Sequence, residues 1–282
     1  MKRLEPLAVP PSYFDRYESI RTSKHLDVRN RLAAIRTDMI AQYHAYAEAA
    51  RDSRLQTLLA NARCAGLSAD LRSCYSGTTN QLRRLKADIE QAQPRRLLQF
   101  CPMCATTLPS TFDHYLPTER FPEFSVFALN LVPCCSICNS TKRDDWLDVA
   151  GVRQYLHAFT DEIADADFLT VQLYEQADLR GVGAVFRLER PQGIPAGDWN
   201  LLASHFSRLR LVERYDKLGN DEIVGILADS RVFIETGGRD ARAFVIGQAA
   251  DRLQAHGRNY WRAVLMQAMA LHPNFLTWVA EG

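Results

Sequence analysis

Cys101-Pro-Met-Cys104, then Asp113-His114, Asn130-Leu-Val-Pro133, Cys135-Ser-Ile-Cys138-Asn139 and Lys142 form the stretch on which the reading of this chain turns. A Cys-x-x-Cys turn presents two sulfurs to one ion, and two such turns complete a tetrahedral shell. Cys101, Cys104, Cys135 and Cys138 are therefore expected to hold a structural Zn²⁺ that braces a fold too small to hold itself together. Cys134 adjoins this set, but only Cys135 has the two-residue spacing to Cys138. Between the cysteine pairs, Asp113 offers a hard oxygen ligand for a divalent cation. His114 offers an imidazole able to take a proton from water. Neighbours on a strand point to opposite sides, so these two side chains are expected to divide the roles.

These residues are similar to those of the HNH endonucleases, the zinc-braced branch of the ββα-metal nucleases. The family pattern is Cys-x-x-Cys, Asp-His with an apolar residue and Pro, then Asn-Leu-x-Pro-x-Cys-x-x-Cys-Asn-x-x-Lys. Here it is met by Cys101 to Cys104, Asp113-His114-Tyr115-Leu116-Pro117 and Asn130 to Lys142, and it reaches no further along the chain. The resemblance implies a metal-dependent DNA endonuclease. His114 would be the general base, and Asn130 would fix the loop after the first strand and orient His114. Asp113 and Asn139 would hold the catalytic metal. Arg143 stands where many members carry a further histidine ligand. An all-oxygen shell favours Mg²⁺ or Mn²⁺. Lys142 or Arg143 would bind phosphate, and the products would carry 5′-phosphate and 3′-hydroxyl ends. The resemblance extends to components of bacterial anti-phage defence. One such module nicks; a double-strand break needs two copies, hence an expected homodimer. The alternative is a non-catalytic, zinc-braced nucleic-acid-binding subunit that works only with a partner protein.

The rest of the chain sets the context. Of 282 residues, 47% are apolar and 24% charged, an ordinary globular balance. Seven cysteines without an apolar leader, and no apolar run long enough to cross a bilayer, lead us to expect a cytoplasmic protein with no membrane association. The net charge of +1 hides 17 Lys/Arg against 10 Asp/Glu in residues 1–99, a basic surface suited to a phosphate backbone. That overall charge is modest for a free-standing nuclease, which points to a partner ATPase or sensor.

The expected class is α+β, mainly α. Residues 1–95 form a basic helical domain, 96–147 the zinc-braced module, and 148–282 a mostly helical domain with a β-hairpin near 168–190. Within these, residues 1–20 read as an irregular arm. Leu32, Ile35, Met39, Tyr43, Tyr46 and Ala50 give a helical period, and 69–92 reads as helix broken near Gly77, with Ser68 as N-cap. Asp148–Phe159 is expected to be a helix. Two helices are expected in 239–256 and 259–271. The phenylalanines at 121, 124 and 127 are expected to pack as core against the helices.

Overall fold

The computed structural model describes residues 2–162, 166–176 and 181–281. Helix accounts for 56% and strand for 9%, in two small sheets, so the protein is α+β and mainly α. The chain divides into two compact units: Arg3–Glu162, and Ile163–Gly282 with Met1–Lys2. Residues 96–147 lie in the first unit together with the N-terminal helices.

The first unit opens with α1 (Tyr13–Thr22), so the expected irregular arm ends at Ser12. Ser12 and Asp15 form a reciprocal capping box, which satisfies backbone donors that the first turn leaves free. Next come α2 (Leu26–Ala33), α3 (Arg36–Arg51), α4 (Ala62–Gly66), α5 (Ser68–Ser76) and α6 (Asn80–Gln91). Ser68 is the first residue of α5 rather than its cap; the capping side chains are Asn61 before α4 and Thr79 before α6.

A hairpin of β1 (Thr111–His114) and β2 (Leu131–Cys134) leads into α7 (Ser136–Lys142). The strands are antiparallel, with Asp113 opposite Val132 and His114 opposite Leu131. The loop joining them carries the phenylalanines, which are buried and seat on the tyrosines of α3. Tyr43 and Phe127 ring centroids lie 4.3 Å apart, and Tyr46 and Phe124 4.9 Å. The aromatic periodicity of α3 thus builds the floor of this loop.

Residues 148–159 do not form the expected helix. The Asp148 side chain accepts from the N–H groups of Ala150 and Val152, Gly151 adopts φ +79°, and Leu147 bridges to Arg153. An aspartate that closes a turn on its own backbone competes with helix formation and here defeats it.

Glu123, in the loop's turn Pro122–Phe124, is fully buried where that turn packs on α3, α4 and α5. Neither carboxyl oxygen meets a partner at hydrogen-bond geometry, and the nearby N–H groups of Glu123 and Asn61 offset only part of the burial. Burial raises its pKa to about 7. An acid with a raised folded pKa favours folding below its unfolded value, and that contribution fades as pH climbs towards 7. Burial pushes His114 and His157 down to about 4, and they act in the opposite sense. The informative quantity is therefore the difference between variants. Glu123→Gln should gain on wild type by roughly 3 kcal/mol between pH of about 4.5 and 7.5, at 1.36 kcal/mol per pKa unit. Urea midpoints across that range measure it, and parallel curves would refute it.

In the second unit β3 (Leu169–Gln176) pairs antiparallel with β4 (Gly181–Leu188), the expected hairpin, and residues 177–180 lie outside the described residues. Five helices follow: α8 (Ala196–Arg208), α9 (Leu211–Glu235), α10 (Ala241–His256), α11 (Trp261–Leu271) and α12 (Phe275–Glu281). Tyr215 of α9 stacks on Trp261 of α11 at 5.5 Å, with Phe186 of β4 edge-on to both. Gly219 lets α9 lie close to the hairpin; a Cβ there would stand 3.3 Å from the Phe186 ring. No helix among the described residues is long and apolar enough to cross a membrane.

Candidate functional site

The four expected cysteines converge. Their sulfurs all lie within 4.8 Å of one another, and all four side chains are buried. Zn–S bonds of about 2.3 Å at tetrahedral angles place sulfurs about 3.8 Å apart. Cys104 and Cys135 stand at 3.8 Å, far beyond a disulfide bond. The first turn closes through Ala105 N–H to the Cys101 carbonyl at 2.7 Å, with Ala105 in the left-handed region at φ +54°. The second uses the α7 N-terminus, where Cys135 Sγ accepts from Cys138 N–H at 3.5 Å. Cys101 Sγ in turn accepts from Cys135 N–H at 3.3 Å, tying the two turns together. The four thiols act on one another: contacts within the cluster lower the pKa of Cys104 and Cys135 and raise that of Cys101 and Cys138. These residues fit a structural Zn²⁺. Cys134 belongs to β2 opposite Thr111 and stays outside the cluster, so the ambiguity between Cys134 and Cys135 resolves to Cys135.

His114 ends β1 and is half-buried. Its Nε2 lies 2.8 Å from the Ser125 carbonyl oxygen. A carbonyl only accepts, so Nε2 carries the proton and the Nδ1 lone pair is left as the basic atom. Burial lowers the His114 pKa to about 4 against the raising effect of that bond, so the ring is neutral near pH 7. Tyr75 of α5 stands edge-on to the imidazole at 4.4 Å.

Asn130, fully buried, clasps the loop that supplies the Ser125 carbonyl. Its Nδ2 donates to the carbonyls of Leu116 and Phe124 at 3.1 and 3.2 Å, and its Oδ1 accepts from Leu116 N–H at 2.7 Å. Oδ1 also receives the Tyr46 hydroxyl at 3.1 Å. That hydroxyl lies 3.0 Å from His157 Nε2, and His157 Nδ1 lies 2.9 Å from Thr160 Oγ1. Asn130 thus reaches His114 through the loop, not by direct contact. Tyr46 and His157 lie outside the cysteine-bounded stretch, and sequence reasoning passed over both; the one signal was that Tyr46 shares the buried stripe of α3.

Lys142 and Asp113, expected at a phosphate and at a metal, are paired with each other. Lys142 is 0% exposed and Asp113 3%. The Lys142 ammonium sits 3.0 and 3.2 Å from the two Asp113 oxygens and donates to the His114 carbonyl at 2.9 Å. A lysine sealed in this way is not placed to meet a phosphate. Burial raises the Asp113 pKa, and the ammonium pulls it back down. Asn139, half-buried on α7, donates to Thr111 Oγ1 at 3.3 Å. As arranged, Asp113 and Asn139 do not fit a Mg²⁺ or Mn²⁺ site, because an ammonium stands where the dication would bind the carboxylate. Arg143 is exposed, and its Nε donates to the Ser140 carbonyl at 3.1 Å.

Among known proteins, the chain is similar to Protein ea31 of Escherichia phage lambda, 26% identical over 187 residues. The match covers 62% of this chain and 62% of that protein. No protein-family profile and no solved structure matches the chain.

Proposed function

We propose that Cys101–Arg143 is a zinc-braced HNH-type module and that the protein is an endonuclease hydrolysing phosphodiester bonds in DNA, with His114 as the general base. The observation that carries this reading is the Nε2–H bond from His114 to the Ser125 carbonyl. It fixes the tautomer and leaves a neutral Nδ1 lone pair on a half-buried residue at the strand end. Nδ1 takes a proton from water as the oxygen attacks phosphorus. The P–O3′ bond breaks, and the leaving oxygen is protonated from solvent. No step is routed through a metal at Asp113, since Lys142 holds that carboxylate. Because a relative is phage-borne, the setting we propose includes phage genomes as well as bacterial defence against them.

The test is plasmid nicking by the purified chain in EDTA, Mg²⁺ and Mn²⁺ in parallel. A general base contributes about 10²- to 10⁴-fold, so His114→Ala should lose at least two orders of magnitude in rate while keeping its zinc. Equal rates for wild type and His114→Ala would sink the catalytic reading. The buried Asp113–Lys142 pair favours a second reading, a zinc-braced nucleic-acid-binding subunit without catalysis. DNA binding with no nicking under any of the three conditions is its signature.

A further inference from the structure

With Lys142 sealed, the nuclease reading lacks a cation for the phosphate, and the inference that follows rests on that reading. His114 and Phe112 share one face of β1, and across that face stand α5 and α6. Lys86 of α6 holds its ammonium 4.1 Å from the centroid of the Tyr75 ring and 5.4 Å from that of Phe112. The Tyr75 ring is also the wall beside His114, at 4.4 Å. Ammonium and imidazole are thus separated by no more than these two spans. A phosphate bonded to the ammonium at about 2.8 Å, with the attacking water between it and the Nδ1 lone pair, can be accommodated within such a span.

Several other basic side chains of this unit have acids: Arg16 pairs with Asp88, Arg72 with Glu119, and Arg153 with Asp161. Lys86 has none among the described residues. Glu90, one turn along α6, acts on it through space without forming an ion pair. Its ammonium rests on two aromatic faces, a placement that removes water from it without supplying an anion. Burial accordingly holds its pKa below the ordinary lysine value.

We propose that Lys86 is the phosphate-binding residue of the His114 site and receives a backbone phosphodiester of DNA laid across the Tyr75 edge. Part of the excess of basic residues in the first third of the chain then has a specific task. Lys86 would contact the anion while His114 activates the water, and neither residue would need a dication to be placed.

The experiment uses the full chain carrying His114→Ala, so that bound DNA stays intact. Binding to a short fluorescent duplex is followed by anisotropy over a salt series. Adding Lys86→Met keeps the apolar stem against Tyr75 and Phe112 but removes the charge. It should weaken binding several-fold and make the plot of log affinity against log salt shallower by about 0.9, the value for one phosphate contact. Lys86→Arg should restore both. A lysine that only packs would lower the melting temperature without changing the salt slope. If the parent binds DNA and Lys86→Met binds it with the same affinity and slope, the proposal is overturned while the nuclease reading stands. If the parent binds no DNA and the wild type nicks none, both fall together.

Discussion

Replacing Cys138 with serine should strip the zinc and cost the Arg3–Glu162 unit a large part of its stability. The segment from Cys101 to Ser110 contains no helix or strand, only turns. Its anchors to the rest of the unit include the Cys101 sulfur on Cys135 N–H and the Ser110 N–H on the Cys134 carbonyl. The metal would replace the mutual sulfur contacts with four bonds and neutralise the thiolates crowded within 4.8 Å. Structural zinc in small folds contributes about 10–16 kcal/mol of apparent binding energy at neutral pH. The helices of this unit have a core of their own, so only part of that should appear as lost stability. A loss of roughly 5 kcal/mol corresponds to a fall of about 10–20 °C in melting temperature for a domain of this size. Elemental analysis should give one zinc per wild-type chain and a clear deficit in Cys138→Ser. Cys134→Ser should keep its zinc. A wild-type protein purified without zinc, or a Cys138→Ser protein melting as wild type does, would show that the cysteines merely pack.

The four clustered cysteines could be named from sequence because their chemistry is local: two sulfurs per turn need no knowledge of the rest of the fold. The same holds for the hairpin near 168–190 and for most helices, whose period is written into consecutive residues. Residues 148–159 were misleading because their apolar positions suit a helix, whereas Asp148 and Gly151 favour a turn. Lys142 is a different case, since a signal for its burial was present. Cys138 and Lys142 are four residues apart on α7 and therefore share a face, and that face must point inward to deliver the Cys138 sulfur. Asn139 belongs to the next face round, which is the more open one, and Arg143 lies just past the helix end at φ +48°. Tyr75, Lys86 and His157 had no such signal, and Tyr46 had only its place on the buried stripe of α3. They reach the hairpin across long separations in sequence, and no spacing rule connects residue 86 or 157 to residue 114.

Lys142→Met should be the most damaging single change outside the cysteines. It leaves the Asp113 carboxylate in a site 3% exposed with its ammonium gone. Breaking one side of a buried ion pair costs about 3–5 kcal/mol, because the remaining charge is neither solvated nor paired. The His114 carbonyl loses its 2.9 Å donor at the same time, at the end of β1. Asp113→Asn in the same chain removes the stranded charge, so the double variant should recover most of the loss. Denaturant unfolding of wild type, both single variants and the double variant closes the cycle. Coupling of several kcal/mol marks Lys142 as a structural cation for Asp113. Coupling near zero, with Lys142→Met as stable as wild type, would mean that the ammonium is not committed to Asp113. The carboxylate would then be free for the dication that the HNH resemblance implies, and titrating the wild type with Mn²⁺ would raise its melting temperature. The two outcomes assign Asp113 to opposite roles: in one it anchors α7 beneath the hairpin, and in the other it is a ligand waiting for its metal.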